Sequence, residues 1–305
     1  MPRVSILIPT YDRPERLRGC VAAALASSFE DIEVVVGDDG QLGRAVCASI
    51  ADPRLRYVAN PRRLGIAQNW NALLDGAGGE LLALCMDDDR LDPRFVETCT
   101  RVFGEAGPDL AVVFTNHTFV DDAGNEHVRR TRVRPGRHDD FARELMLHHP
   151  VAISAAMISR PAWEAVRPLP DTAAADMVLF GRLAERRLPF HYVDAALMSY
   201  RTHPGQLSTT PGFRSDAVAA WSELRFSDVV AERLRLRVLR DALIARATAR
   251  LQEGRRSDAR ADLRCARTLA RAPHRRLALL HAAALAPTRA VGAATRLRRR
   301  LRSRY

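Results

Sequence analysis

The chain contains no lysine, so all 47 of its basic residues are arginine. Schiff-base catalysis and the phosphate-binding lysine of a Walker A loop are therefore excluded. Cysteine is sparse and scattered: Cys20, Cys47, Cys85, Cys99 and Cys265 form no CxxC and no Cys/His cluster with zinc spacing. An odd, dispersed set points to reduced thiols in a cytoplasmic setting rather than to a disulfide framework, with Cys20 and Cys85 in apolar stretches as core residues. Long apolar runs are missing as well. Residues 4–8 are too quickly broken by Pro9 to form the apolar region of a signal peptide. The best later run, residues 277–286, is interrupted by His281 and falls short of the roughly 18 residues of a spanning helix.

What is present is ample for a buried core: 305 residues, 47% hydrophobic and 27% charged. The net charge of +11 is unevenly spread. Residues 1–220 hold 25 arginines against 29 acids, and residues 221–305 hold 22 against 7. A mildly acidic body thus precedes a strongly basic tail, and the two need separate explanations.

The body alternates strand and helix signals. Residues 4–8 read as a buried strand, after which Asp12 and Pro14 supply an N-cap and a helix-opening proline. Leu17, Cys20, Val21, Ala24 and Leu25 then follow helical spacing. Further apolar strands are expected at 32–36, near 55–58, at 81–86 and at 110–114, with helices around 42–51, at 66–74 and after Pro93. This alternation predicts an α/β fold, a mostly parallel sheet covered on both faces. From 118 to 160 the pattern loosens into a polar, hairpin-like stretch rich in arginine at 129–137, then a strand at 151–158 and a helix at 174–185. After Asp216 the sequence reads as helical to its end, with Leu236, Leu239, Leu243 and Ala247 on one apolar face and Gly254, Pro273 and Pro287 as breaks.

Ligands of open parallel sheets bind beyond the carboxyl ends of the strands. The residues just past three predicted strands are Thr10, Tyr11 and Asp12; Asp38 and Asp39; and Asp87, Asp88 and Asp89. Three adjacent carboxylates repel one another unless a cation neutralises them, and hard oxygen ligands suit Mg2+ or Mn2+. A solvated acidic loop capping the helix after Pro93 is the plainer alternative; the position at the end of a buried strand favours the metal.

The ordered series of Val4 through Tyr11, Val36-Gly37-Asp38-Asp39-Gly40, Asn60, Gly65, Asn69-Trp70-Asn71, Gly79-Glu80 and Asp87-Asp88-Asp89 resembles the family 2 glycosyltransferases of GT-A fold over residues 3–210. The resemblance implies a glycosyltransferase domain at 1–212, with a nucleotide-sugar half at 1–116 and an acceptor half at 117–212; the helical, arginine-rich region at 213–305 follows from the sequence pattern and lies beyond the resemblance. It implies that Pro9, Thr10 and Tyr11 line the nucleotide pocket. Asp38 would accept a hydrogen bond from the N3–H of a pyrimidine base, with Asp39 beside it. Asn60, Arg63 and Gly65 would lie near the base or diphosphate, although a plain turn explains them equally well. Asn69 borders the same pocket in this reading, while helix packing and capping account for Asn69 and Trp70 more simply. Asp87 and Asp88 would face the donor, and Asp88 or Asp89 would bind Mn2+ or Mg2+. The family's Glu-Asp pair is reduced here to Asp176, the expected catalytic base, and Tyr200-Arg201-Thr202-His203 matches its Tyr-Arg-x-His, which brings His203 to the metal.

The implied reaction moves a sugar from a uridine or thymidine diphosphate sugar to an acceptor hydroxyl with inversion, in synthesis of a cell-envelope polysaccharide or other glycoconjugate. A relative that binds nucleotide sugars without turnover is the main alternative. A dinucleotide-dependent oxidoreductase would need G-x-G-x-x-G after the first strand, where Pro9-Thr10-Tyr11 stands. Nucleic-acid binding by the tail ranks below the enzyme, because the tail lacks interleaved aromatics and the body is acidic. The arginines at 296–304, with the apolar residues at 277–285, suit the anionic inner face of the plasma membrane as a peripheral attachment.

Overall fold

The computed structural model describes residues 2–269 together with residues 278–280, 282 and 284. The arginine-rich stretch at 296–304, Pro273, Pro287 and most of the apolar run at 277–285 lie outside the described residues.

The chain opens with β1 (Val4–Thr10), α1 (Pro14–Leu25), β2 (Ile32–Asp38), α2 (Gly43–Ala48), β3 (Leu55–Ala59), α3 (Ile66–Gly76) and β4 (Leu81–Leu84). It continues through β5 (Arg90–Leu91), α4 (Phe95–Ala106), β6 (Val112–Asp121), β7 (Glu126–Val128), β8 (Gly136–His138) and α5 (Ala142–His148). Next come β9 (Ala156–Ser159), α6 (Arg160–Val166), α7 (Ala175–Glu185) and β10 (Phe190–Thr202). Three helices follow, α8 (Pro211–Glu223), α9 (Val229–Gln252) and α10 (Arg256–Thr268).

All strands join one sheet in the order β3-β2-β1-β4-β9-β6-β10-β5, with β7 on β6 and β8 on β10. β1 is parallel to β2 and β4, β2 to β3, and β6 to β10, while β9 runs against both β4 and β6. Successive side chains leave a strand on opposite faces, so a strand covered on both sides must be apolar throughout. β1 obeys this: Leu7 packs in the cluster that holds Trp70 and Leu73 of α3, whereas Val4, Ile6 and Ile8 pack with Leu17 and Val21 of α1 and Phe95 of α4. The close approach of β1 to the turn before β4 requires glycine at Gly79, whose Cβ would stand 2.6 Å from the Ser5 backbone nitrogen. Its own N–H donates to Ser5 Oγ at 2.8 Å.

Register sets the site. Thr10 lies beside Asp38, and Leu7 beside Leu84, so the carboxyl ends of β1, β2 and β4 share one edge. On the other side, β10 runs its 13 residues along β6 with two register shifts and brings Tyr200 beside Phe119. This long strand and β5 were not anticipated.

Three local expectations change. Arg13 rather than Asp12 is the N-cap of α1 and makes no side-chain cap, because Asp12 adopts a positive φ of 53° in the turn; Pro14 does open the helix. The hairpin in the stretch from 118 is formed by β6 and β7, antiparallel over 118–128, while the arginine-rich residues 129–137 lie beyond it and lead into β8, which pairs with β10. The strand expected at 151–158 begins only at Ala156, after a single 3-10 turn over Ile153–Ala155.

Helices α8–α10 do not build a core of their own. Leu239, Leu243 and Ala247 of α9 and Leu263 of α10 belong to the same buried cluster as Leu145 of α5 and Leu179 of α7. Leu236, expected on that face, is only half-buried. Part of the basic charge is paired inside this bundle. Asp262, 4% exposed, accepts from Arg246 at 2.7 Å and from Arg250 at 2.7 Å. Arg235 is buried against Glu232 and the Trp221 carbonyl. Among the described residues no helix is long and apolar enough to cross a membrane.

Candidate active site

A cleft of about 620 Å3 opens where the carboxyl ends of β1, β2 and β4 face β6, β10 and the start of α7. Pro9, Thr10, Tyr11, Asp39, Arg63, Gly65, Asn69, Asp87, Asp88, Asp89 and Asp176 all border it. Asp38 and His203 do not.

The three carboxylates after β4 occupy three different environments. Asp87 accepts from Thr10 Oγ1 at 2.7 Å and from Arg13 Nη1 at 3.3 Å. Burial raises its carboxyl above the usual range. Asp89 is 3% exposed and has both oxygens engaged, one by Ser154 Oγ at 2.6 Å and the other by the Arg201 N–H at 3.0 Å. Burial and the neighbouring Asp88 charge push it up to about 7. Among the described residues, the partners of Asp88 Oδ2 are cationic or ionisable nitrogens: Arg13 Nη1 at 3.1 Å, His203 Nε2 at 3.1 Å and Arg16 Nη1 at 3.7 Å.

Among the described residues, no three His, Cys, Asp or Glu side chains gather closely enough to cage a metal ion. The pair of Asp88 Oδ2 and His203 Nε2 nevertheless fits a divalent cation. Mg2+ and Mn2+ bind through one or two protein groups and take their other ligands from phosphate and water. Asp88 has exchangeable partners, whereas the hydrogen bonds on Asp89 tie the acidic loop to the 3-10 turn and to β10.

Asp38 and Asp39 part company. Asp38 is fully buried, and its carboxylate accepts from the N–H groups of Gly40 at 2.8 Å and Gly43 at 3.0 Å and from Tyr57 Oη at 3.0 Å. These bonds fix the turn into α2 and leave the buried Asp38 side chain outside the lining of the cleft. Asp39 instead borders the cleft and accepts from Asn60 Nδ2 at 2.7 Å and from the Gly65 N–H at 2.8 Å. Gly65 precedes α3 with φ 86°, a conformation that favours glycine. Asn60 also donates to Asn69, which donates to the Gly37 carbonyl at 2.9 Å, so this wall is one connected network. The Arg63 guanidinium stands over the Tyr11 ring, 4.1 Å from its centroid. Trp70 borders the cleft from the core, with its Nε1 lacking a hydrogen-bond partner. Asn71 exchanges two bonds of 2.9 Å with the Leu169 backbone and clamps α3 to the opposite half.

Asp176 sits in the first turn of α7, accepts from the Met177 N–H at 2.8 Å, and is raised by burial above the ordinary carboxylate range. His117 and Phe119 of β6, Tyr200 of β10 and Arg129 border the same cleft; of these, Tyr200 stands in the Tyr-Arg-x-His match, and His117, Phe119 and Arg129 carried no role in the sequence reading. His117 is 2% exposed, its Nδ1 has no hydrogen-bond partner, and burial with the nearby Arg129 charge lowers its pKa to about 4. It is therefore neutral near pH 7. Arg129 is held by the carbonyls of Pro150 at 2.8 Å and His149 at 2.8 Å. Ser154 and Arg13 were also missed. No motif or alternation marks His117, which stands in the consecutive polar run Thr115-Asn116-His117-Thr118 of β6, whereas position just past β1 was the available signal for Arg13.

The sequence matches the model of glycosyl transferase family 2 over residues 5–166, just over half of the chain. Among curated proteins it is similar to a chondroitin synthase of Pasteurella multocida, 32% identical over 129 residues that cover 41% of this chain and 13% of that protein. The chain spans less than half the length of the first curated relatives it matches. In structure it is similar to S. aureus TarS 1-349 in complex with UDP-GlcNAc, with a TM-score of 0.71 at 14% identity, covering 92% of this chain and 87% of that one. It is also similar to the mannosyltransferase PcManGT from Pyrobaculum calidifontis in complex with GDP-Man and Mn2+, with a TM-score of 0.60 at 15% identity, covering 97% and 81%. These structural likenesses show a shared fold.

Proposed function

The chain belongs to glycosyl transferase family 2, and from that membership we propose that it transfers a sugar from a nucleotide diphosphate sugar to an acceptor hydroxyl with inversion at the anomeric carbon. The observation that carries this reading is that Asp88, in the acidic loop after β4, and Asp176, at the start of α7, border one cleft although they are far apart in the chain. The donor enters over β1 and β2, its base beside Tyr11, Arg63 and Asp39 and its diphosphate beside Asp88. Asp39 takes the base-recognition role in place of the buried Asp38. A uridine or thymidine diphosphate sugar is the donor that this arrangement is assigned.

Asp88 and His203 would hold a divalent cation, Mn2+ or Mg2+, with Asp89 orienting the loop. When bound, the cation neutralises the charge that develops on the departing diphosphate. Asp176 takes the proton of the attacking hydroxyl; its raised carboxyl is the better base for lying closer to the operating pH. The walls around Asp176, with Phe119, Tyr200 and His117, hold donor and acceptor together and keep water from the anomeric carbon. The acceptor belongs to a polysaccharide or other glycoconjugate of the cell envelope. The neighbour in complex with UDP-GlcNAc supports the pyrimidine donor, and the one in complex with GDP-Man and Mn2+ supports a nucleotide diphosphate sugar and the metal without supporting the choice of base.

The test is calorimetric titration with UDP-, dTDP- and GDP-sugars, with Mn2+ or with a chelator, followed by assay of nucleotide diphosphate release. Tight binding that depends on Mn2+ is expected, with pyrimidine nucleotides ahead of purine ones. Full turnover in chelator would overturn the metal assignment, preference for GDP the donor assignment, and absence of any nucleotide-sugar binding the whole reading.

A further inference from the structure

Arg13 is the N-cap of α1, and its guanidinium, with a side chain 39% exposed, borders the cleft. It spans two carboxylates, 3.3 Å from Asp87 Oδ1 and 3.1 Å from Asp88 Oδ2. Arg16, one turn along the same helix, places a buried Nη1 with no hydrogen-bond partner 3.7 Å from that Asp88 oxygen. His203 Nε2 reaches it as well, at 3.1 Å. The oxygen best suited to a divalent cation is thus already surrounded by nitrogen donors carried on α1 and on the loop after β10.

We infer that Arg13, backed by Arg16, is an internal counter-cation that fills this position in the free protein and gives it up when a nucleotide diphosphate enters, so that the divalent cation binds tightly only with the nucleotide. The inference rests on the glycosyltransferase reading. A part-exposed ion pair contributes little to fold stability, so Arg13 is free to change partners. A planar guanidinium matches two phosphate oxygens better than it matches two separate carboxylates. Diphosphate oxygens beside Asp88 draw Arg13 and the unpartnered Arg16 Nη1 toward themselves. Asp88 Oδ2 is then left to the cation, whose remaining ligands the same diphosphate supplies. Without the nucleotide, a cation at Asp88 must displace or face two guanidinium groups at close range. Arg13 acts through Asp88 and the phosphates, as a positioning residue that sets the order of binding.

Mn2+ binding by the full chain, read by electron paramagnetic resonance with and without UDP, GDP or dTDP, tests this. In the unmodified protein the nucleotide should tighten Mn2+ binding by about 5- to 150-fold, the usual span of coupling between linked sites. Arg13→Gln should bind Mn2+ more tightly than the unmodified protein in the absence of nucleotide, shrink that ratio, and bind metal-free nucleotide more weakly. Arg13→Lys should fall between the two, since it keeps the charge and loses the fork. An unchanged thermal midpoint in both variants separates these effects from misfolding. Equal Mn2+ ratios in Arg13→Gln and the unmodified protein overturn the inference alone. Failure of every nucleotide to bind the unmodified protein, even with Mn2+, overturns the glycosyltransferase reading and the inference with it.

Discussion

On the β1–β4 side of the cleft, the facing groups stand just past the ends of parallel strands or at the start of α3: Thr10, Tyr11, Asp39, Gly65 and Asp88. On the β6–β10 side they come from within strands, from turns and from a helix start: His117, Phe119, Tyr200, Arg129, Ile153 and Asp176. The first wall is assembled by local chain reversals beside strands that are apolar on both faces. The second is assembled by register between β6 and β10, which are far apart in sequence. The polar wall is suited to a nucleotide, and the mixed aromatic wall to the stacking and water exclusion that a sugar acceptor needs. The difference predicts that substitutions on the first wall change donor binding and those on the second change transfer.

Asp176→Asn should give the largest effect. Transfer should fall by about 10²- to 10⁴-fold, the range for loss of a general base, while nucleotide affinity stays near normal. Steady-state kinetics beside calorimetry checks this. A variant that loses nucleotide affinity in step with turnover would erase the distinction between the walls.

The next two substitutions test the first wall at neighbouring positions. Asp39→Ala should weaken nucleotide diphosphate binding by about 1.5–3 kcal/mol, the value of a hydrogen bond to a charged group. Asp38→Ala should instead lower thermal stability by about 1–3 kcal/mol for the buried donors it strands, with nucleotide affinity of the folded protein little changed. Reversal of these two outcomes would return the base-binding role to Asp38.

That pair also marks the limit of the sequence. The strand-helix alternation, the mostly parallel sheet and the convergence of three strand ends were legible because they follow from local apolar patterns and breaks. Which of two adjacent carboxylates turns outward was not, because it depends on the bonds from Gly40, Gly43 and Tyr57, and Tyr57 comes from another strand. The same reason hid Ser154, which reaches Asp89 from the 3-10 turn just before β9, 65 residues further along the chain. His117 was hidden because a lone histidine in a strand carries no motif, and its significance comes from burial among β6, β10 and Arg129.

A smaller effect concerns the junction between the walls, where Asp89 is held by Ser154 and Arg201. Its carboxyl is pushed up to about 7 in the folded protein, against about 3.9 for an unfolded aspartate. Between those values the folded state holds a proton that the unfolded state has released. Stability of the metal-free, nucleotide-free protein should therefore decline as pH rises from about 4 to about 7. Asp89→Asn should flatten that decline, and chemical denaturation across this pH range reads it. A slope unchanged by the substitution would mean that the junction stays charged throughout.

The smallest effect on the folded body is expected from the far end of the chain. In α9 and α10, arginines 235, 246 and 250 are committed to Glu232 and Asp262, and the helices themselves belong to the core. Residues 288–305 lie outside the described structure, and hold seven arginines and no acidic side chain. A segment of that composition suits an anionic surface, where each basic residue contributes about 1 kcal/mol close to the membrane. Deleting residues 288–305 should accordingly leave the thermal midpoint and nucleotide affinity near normal and abolish co-sedimentation with anionic vesicles. Binding by the unmodified chain should fall with salt, because a Debye length of about 8 Å at physiological ionic strength screens a purely electrostatic attachment. Equal binding to neutral vesicles, or none to either kind, would rule the attachment out, and a drop in thermal midpoint on deletion would assign the segment to the body instead.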